Sequence, residues 1–319
     1  SPYAGQNVSD IEGIVTHVVS NSEFYIQDLQ PDNDDKTSEG ILVYKSGHGR
    51  KVGEIVKVTG EVKEFYRGSS QGTDLPITEI AASAIALVSS NNELPAPIVI
   101  GQDRIPPTVK IDSDSLTVFN PEIDGIDFYE SIEGMLIEIE DPKVVAPVYS
   151  GELVVVAKQN ETNTNAGGVK LTAEDGNPER LHIVTNNSNL VAKAGDYFNE
   201  SIIGVVNYSN SNYKVLLTSA LPSVQSGPTE QEITSIEKVD DKLTIATYNI
   251  ENFAATTATS KVTKIAQSII TNLKSPDIIG ITEVQDDNGP TNDGVTSADQ
   301  TAKVLIDKII ELGGPTCAY

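Results

Sequence analysis

The chain has 319 residues, enough for two or three domains with ample core, and its 46 acidic against 22 basic residues give a formal net charge of −24. That balance excludes bulk electrostatic attraction to nucleic acid, so a polyanionic partner needs a local basic patch, divalent cations, or both. A single cysteine, Cys317, excludes a disulfide framework and a Cys-based metal site, the absence of Trp leaves little for base stacking, and no apolar run is long enough to span a membrane.

Residues 1–90 read as all-β. Residues 11–19 and 24–29 are apolar runs split by a turn-like 20–23, residues 41–44 form a short run, and 78–88 supply a fifth. Residues 54–65 alternate most clearly, with Val56, Val58 and Val62 on one face and Lys57, Thr59, Glu61 and Lys63 on the other. Five short strands joined by polar loops predict a small barrel of the OB type. Asp28, Asp32, Asn33, Asp34 and Asp35 crowd one loop. Their oxygens suit calcium, but the EF-hand glycine and terminal Glu are missing, and a plain solvated loop fits as well. The main local excess of positive charge is the stretch 44–51. Lys45, Arg50, Lys51 and Lys63 are candidate contacts for a nucleic-acid strand, with Lys57, Arg67, Phe65 and Tyr66 expected nearby. The alternative is again a solvated loop.

Residues 91–127 read as a surface linker broken by Pro95, Pro97, Pro106, Pro107 and Pro121, within which 109–111 and 116–119 could each add a strand. A second β region, 128–222, repeats the first in outline. Ile132-Glu133-Gly134 echoes Ile11-Glu12-Gly13. Lys193-Ala194-Gly195-Asp196 followed by Gly204-Val205-Val206 echoes Lys51-Val52-Gly53-Glu54 followed by Gly60-Glu61-Val62. This predicts a second OB-like barrel with a longer, polar loop at 159–179. Residues 223–240, rich in Ser, Gly, Pro and Glu, read as a second linker.

From 241 to 319 the pattern changes to α/β, so the expected fold class is mostly β: two OB-like barrels followed by a partial α/β segment. Residues 243–253 and 277–285 read as strands, and between them Val262, Ile265, Ile269 and Leu273 are spaced as a helix. A strand–helix–strand unit of this length leaves its strands parallel, which brings Asn249 and Glu283 to one edge of the sheet. Open α/β sheets place their chemistry at that edge. Mg²⁺ is often held there by one or two carboxylates with water and a substrate phosphate; two core strands with solvated polar ends are the plainer reading. Asp286, Asp287, Asn288, Asn292 and Asp293 follow, as further cation ligands or as a polar turn. Ser297 and Gln300 have capping-box spacing and predict a helix to about 312, stopped by Gly313-Gly314-Pro315.

Four stretches resemble a known family: FYIQDLQPDNDDKTSEGILVY, VGEIVKVTGEV, FYESIEGMLIEIEDPKVV, and NIENF paired with ITEVQDDNG. In this order they are similar to secreted bacterial nucleases that place OB-like modules before an endonuclease/exonuclease/phosphatase domain. The resemblance implies a metal-dependent hydrolase acting on DNA or RNA, using Mg²⁺, or Mn²⁺ or Ca²⁺, in an extracellular or cell-surface setting. It implies that Glu283 is a metal ligand and that Asn249 organises the metal and phosphate site, with Asp286, Asp287 and Asp293 as weaker candidates. The family's general-base histidine lies further downstream, whereas His17, His48 and His182 all fall in the β regions. The polypeptide is therefore expected to hold only the metal corner and to be inactive alone. Other phosphoesterase chemistry of the same superfamily, and a non-catalytic surface binding protein, remain open alternatives.

Overall fold

Strands β1 (Asn7–Val18), β2 (Glu23–Gln27), β3 (Gly40–Tyr44), β4 (Ile55–Phe65) and β5 (Ile77–Ser89) close a barrel in the order β1-β2-β3-β5-β4. They belong to a computed structural model that describes residues 1–32, 34–67 and 74–319. Every pairing is antiparallel except β3 with β5, which is the order of an OB-type barrel. The alternation of β4 sends Val56 and Val58 inward to meet Val15, Phe24, Ile26, Val43 and Ile80. Gly60 lets β4 lie against β5: a Cβ there would stand 2.4 Å from the Ala81 carbonyl oxygen.

The second β region is a seven-stranded sheet in the order β6-β7-β11-β12-β10-β9-β8. Its strands are β6 (Ile98–Val99), β7 (Leu136–Ile139), β8 (Lys143–Tyr149), β9 (Glu152–Val156), β10 (Leu181–Val184), β11 (Ile202–Ser209) and β12 (Asn212–Leu217), and helix α1 (Gly125–Glu130) precedes β7. Strand β7, next to β6, and β8, at the other end, are halves of one run, interrupted at left-handed Asp141 (φ 38°) and Pro142. Counted as one strand they pair with β11 and β9, as β1 pairs with β4 and β2. The remaining pairings also repeat, including a parallel one between β10 and β12.

The Lys-x-Gly-acid echo is structural. Gly53 and Gly195 are both left-handed (φ 81° and 91°), and each donates its N–H to a valine carbonyl, Val15 or Val144, at 2.9 Å. Val15 and Val144 in turn donate to Glu54 and Asp196, both at 2.8 Å. Gly204 repeats Gly60, since a Cβ on it would meet the Leu216 carbonyl oxygen at 2.5 Å. The Ile132 echo is a correction: Ile11 sits opposite Val58, and the residue in its place is Ile139, opposite Ile202. Ile132–Gly134 instead form the turn before β7.

The expected linkers also change. Residues 91–127 contribute β6 and the start of α1, while 109–111 and 116–119 form no strand; Ser115 and Leu116 are left-handed (φ 64° and 59°), which breaks an extended run. The 223–240 stretch divides. Gln225 exchanges backbone hydrogen bonds with Tyr197, whereas Thr234 donates to the Asn272 carbonyl. The chain accordingly forms two compact units, 1–229 and 230–319.

Within the first unit the barrels share a core of Tyr25, Leu42, Ile77, Leu136 and Val205. Tyr25 Oη donates to Asn207 Oδ1 at 2.7 Å, and Leu136 N to Gln27 Oε1 at 2.9 Å. The backbones of Gly40 and Gly134 touch directly.

The second unit has parallel strands β13 (Ile245–Phe253) and β14 (Ile278–Val284), helix α2 (Thr259–Gln267) widening into a π-helical turn over Ser268–Asn272, and helix α3 (Asp299–Glu311). Val262, Ile265, Ile269, Leu305 and Ile309 cover one sheet face, against Ile250, Phe253, Tyr248, Ile279 and Ile281. The other face, carrying Ile245 and Ile278, is open to solvent.

Candidate metal corner and nucleic-acid face

At the C-terminal edge of β13 and β14, Asn249 Nδ2 donates to Glu283 Oε1 at 2.7 Å, and the Asn252 N–H to Glu283 Oε2 at 3.2 Å. Strict alternation would not produce this contact. Asn249 pairs with Thr282, so Glu283 should point with Ile279 and Ile281 to the helix-covered face. Instead the register shifts: β13 spends Ile250, Glu251 and Asn252 where β14 spends Glu283 alone, before Phe253 pairs with Val284. Glu251, Asn252 and Glu283 are all left-handed (φ 55°, 49° and 59°), and this turns the Glu283 carboxylate towards Asn249. Both carboxylate oxygens keep lone pairs free for a cation. Asn249 Oδ1 accepts the Glu251 N–H at 2.9 Å, which orients the amide. One carboxylate oriented by an amide N–H at a solvent-facing sheet edge suits Mg²⁺, which takes much of its shell from water and substrate phosphate. Among the described residues no group of three or more His, Cys, Asp or Glu could hold a metal by itself.

The loop carboxylates serve the fold. Asp287 Oδ1 accepts the N–H groups of Gln300 and Thr301 at 2.7 and 3.0 Å, and its Oδ2 accepts Ser297 Oγ at 3.0 Å. Asp287 therefore caps α3, and the expected Ser297 capping box is replaced by this more distant carboxylate. Asp286 accepts Asn288 N at 3.2 Å, and Asp293 accepts Asn288 Nδ2 and Val295 N, so both close turns. Asp28, Asp32 and Asp34 form successive turns with the N–H groups of Gln30, Asp34 and Lys36. Asp35 pairs with Arg104, and Asn33 lies outside the described residues.

The four candidate cations are spread along the barrel. Arg50 and Lys51 precede β4, while Lys63 lies eight residues past Ile55, about 27 Å along the strand. Lys45 donates to the Ala82 and Ser83 carbonyls at 3.3 and 2.9 Å. Arg50 pairs with Glu54, Lys63 with Glu61, Lys57 with Glu12 and Arg67 with Glu23. His48 Nε2 lies 2.9 Å from the Ser20 carbonyl oxygen, which fixes the loop.

Residues 99–226 match the family described as "Domain of unknown function (DUF8508)". No curated protein matches by sequence. Among solved structures the chain is similar to the wild-type single-stranded DNA binding protein from Thermus aquaticus, at 11% identity over 71% of this chain and 97% of that one, with a TM-score of 0.20. It is also similar to fission yeast Pot1 with ssDNA, at 12% identity over 74% and 85%, with a TM-score of 0.22. Likenesses this low carry no argument about what the chain binds.

Two residues carry no sequence signal strong enough to single them out, one beside the corner and one at the opposite end of β14. Lys261, in the first turn of α2, donates to the Glu251 carbonyl oxygen and carboxylate at 2.6 and 2.9 Å. Asp277 accepts from Lys238 Nζ and from Thr244 N and Oγ1, all at 2.8 Å, and ties the start of β14 to β13. The Lys238 hydrogen bond, ahead of those from Thr244, holds its carboxyl far below the usual carboxylate range.

Proposed function

We propose that the chain serves metal-dependent hydrolysis of phosphodiester bonds in nucleic acid, as an extracellular bacterial nuclease, with Asn249 and Glu283 as the metal-binding corner. The observation that carries this reading is the Asn249–Glu283 hydrogen bond, made only because three non-glycine residues adopt left-handed backbone at the sheet edge. The order β13-α2-β14-α3 is then the opening of an endonuclease/exonuclease/phosphatase sandwich, following two OB-like barrels. Glu283 would hold Mg²⁺, with Asn249 orienting the carboxylate; when bound, the ion supplies positive charge to a phosphate oxygen. Lys261, held on Glu251 two residues from Asn249, would neutralise a second phosphate oxygen once it exchanges Glu251 for substrate.

The test is the Mn²⁺-dependent part of binding to a short DNA duplex, taken as the difference between Mn²⁺ and EDTA. Glu283→Gln keeps the shape and removes the charge, and is expected to abolish that difference while leaving thermal stability unchanged. Because the histidines all lie in the other unit, the polypeptide alone is expected to leave plasmid DNA intact in Mg²⁺. A Mn²⁺ dependence that survives Glu283→Gln, or plasmid cleavage that Glu283→Gln leaves intact, overturns the reading.

A further inference from the structure

A cavity of about 170 Å³ opens beside the second barrel, between α1, the segment 177–182 and the β11–β12 hairpin. One water needs roughly 10–15 Å³ of such space, so the cavity takes about a dozen non-hydrogen atoms, one ring-sized group. Its wall is apolar and aromatic. Tyr129 and Tyr213 stack with centroids 5.4 Å apart, and Tyr208 meets Tyr213 edge-on at 4.9 Å. Its rim is polar, with Asn177, Arg180, His182 and Asn212, and no carboxylate lines it among the described residues.

Two features of this lining point to a ligand. Tyr213 Oη donates to Glu130 Oε1 at 2.7 Å and Tyr208 Oη to Asp74, but the Tyr129 hydroxyl has no partner among the described residues, although Tyr129 is only 5% exposed. A buried hydroxyl left unpaired is destabilising; it has almost no surface open to the cavity as the rings stand, so a polar ligand atom removes that penalty once the Tyr129 ring turns towards it. Burial pushes the Tyr129 phenol far above its ordinary range, so it remains a donor at any physiological pH. The second feature is Arg180. Arg50, Arg67 and Arg104 are each paired with a carboxylate, whereas Arg180 is not, among the described residues. Its Nε donates to the Asn177 carbonyl at 3.0 Å, which fixes the guanidinium at the rim with its terminal nitrogens unengaged. A guanidinium held this way suits the paired oxygens of a phosphate.

We propose that this cavity binds one nucleotide, its base against the tyrosine wall and hydrogen-bonded to Tyr129 Oη, its phosphate on Arg180. The site extends the nucleic-acid part of the proposed function and is independent of the metal corner. Neutral His182, whose basicity burial lowers, adds a rim hydrogen bond without charge.

The experiment is calorimetric titration of the full chain, in EDTA, with adenosine 5′-monophosphate, with an eight-residue oligodeoxyadenylate, and with methyl glucoside. Binding of the monophosphate assigns the site to free nucleotides, and binding of the oligomer alone assigns it to a strand. Tyr129→Phe keeps the ring and is expected to weaken binding about three- to tenfold, the range of one hydrogen bond. Arg180→Gln is expected to weaken it and flatten its salt dependence. Asn212→Trp, on the exposed hairpin, blocks the mouth without touching the core and is expected to abolish binding. The proposal is overturned if neither nucleotide ligand binds, if methyl glucoside binds in their place, or if Asn212→Trp and Arg180→Gln bind like the wild type. Because EDTA silences the metal corner, failure here leaves the Mn²⁺ test of Glu283 untouched, and the reverse also holds.

Discussion

Replacing Gly40 with alanine probes how the two barrels are joined. The glycine is not left-handed, so the substitution adds no backbone strain, only volume. A Cβ at Gly40 would stand 2.2, 2.4 and 2.5 Å from the backbone C and O of Gly134 and the N of Met135. Ordinary contact begins near 3.4 Å, so the barrels must part by about 1.2 Å. That movement stretches three hydrogen bonds across the junction: Tyr25 to Asn207 at 2.7 Å, Leu136 to Gln27 at 2.9 Å and Ser38 Oγ to the Glu133 carbonyl at 2.5 Å. At about 1 kcal/mol each, the loss is about 3 kcal/mol. In a unit of this size that lowers the melting temperature by about 6–12 °C. The control is Gly47→Ala, at φ 68° with nothing within 4 Å of the new Cβ, which carries strain without collision. It should lose only about 1–2 kcal/mol. Thermal and urea unfolding followed by circular dichroism measure both, and a Gly40→Ala loss no greater than that of Gly47→Ala refutes a rigid junction.

Two further outcomes follow from other contacts. Burial, then the neighbouring Glu130 charge, raises the Glu133 carboxyl well above the usual carboxylate range. Its folded-state affinity for the proton exceeds the unfolded one, so its stabilising contribution is complete below about pH 4.5 and is lost as pH rises through the raised value. Glu133→Gln should therefore gain stability over wild type as pH rises from 4 to 8, and a pH-independent difference in urea midpoints refutes this. Asp287→Ala removes the cap of α3 and should cost the second unit about 1–2 kcal/mol, read as a lower urea midpoint; an unchanged midpoint would show that water replaces the carboxylate.

The strands of the first barrel are legible because its residues alternate and its turns are polar; β4 pairs along its whole length as Val56, Val58 and Val62 require. The second barrel is legible only through its glycines. Gly195 and Gly204 stand where the backbone must turn left-handed or touch a neighbour, and such positions tolerate few other residues. Ile132-Glu133-Gly134 carries no such constraint in common with Ile11-Glu12-Gly13, and the likeness misleads. The basic residues show something different. Lys45, Arg50 and Lys63 look like a patch in one dimension, but carbonyls and glutamates brought in from other strands take up their charge. Asp287 reads as a polar turn residue, and only the folded loop shows it beneath α3.

The corner itself tests what periodicity can reach. Sequence places Asn249 and Glu283 at one edge of a parallel pair, but alternation sends their side chains to opposite faces, and only left-handed Glu283 reconciles the two. A glutamate in that region carries about 1–2 kcal/mol of strain that a glycine would not. If Glu283 were merely the solvated end of a strand, nothing would favour a side chain there over glycine, which is what makes the strain worth measuring. The strain is measurable by comparing Glu283→Gly with Glu283→Ala. Both lose the same two hydrogen bonds, to Asn249 Nδ2 and Asn252 N, but only glycine relaxes the backbone. The glycine variant should be more stable than the alanine variant by about 1 kcal/mol in urea unfolding, while both lose Mn²⁺-dependent DNA binding. Equal stabilities would mean that Glu283 is unstrained, and would remove the physical ground for treating this edge as anything more than the end of a strand.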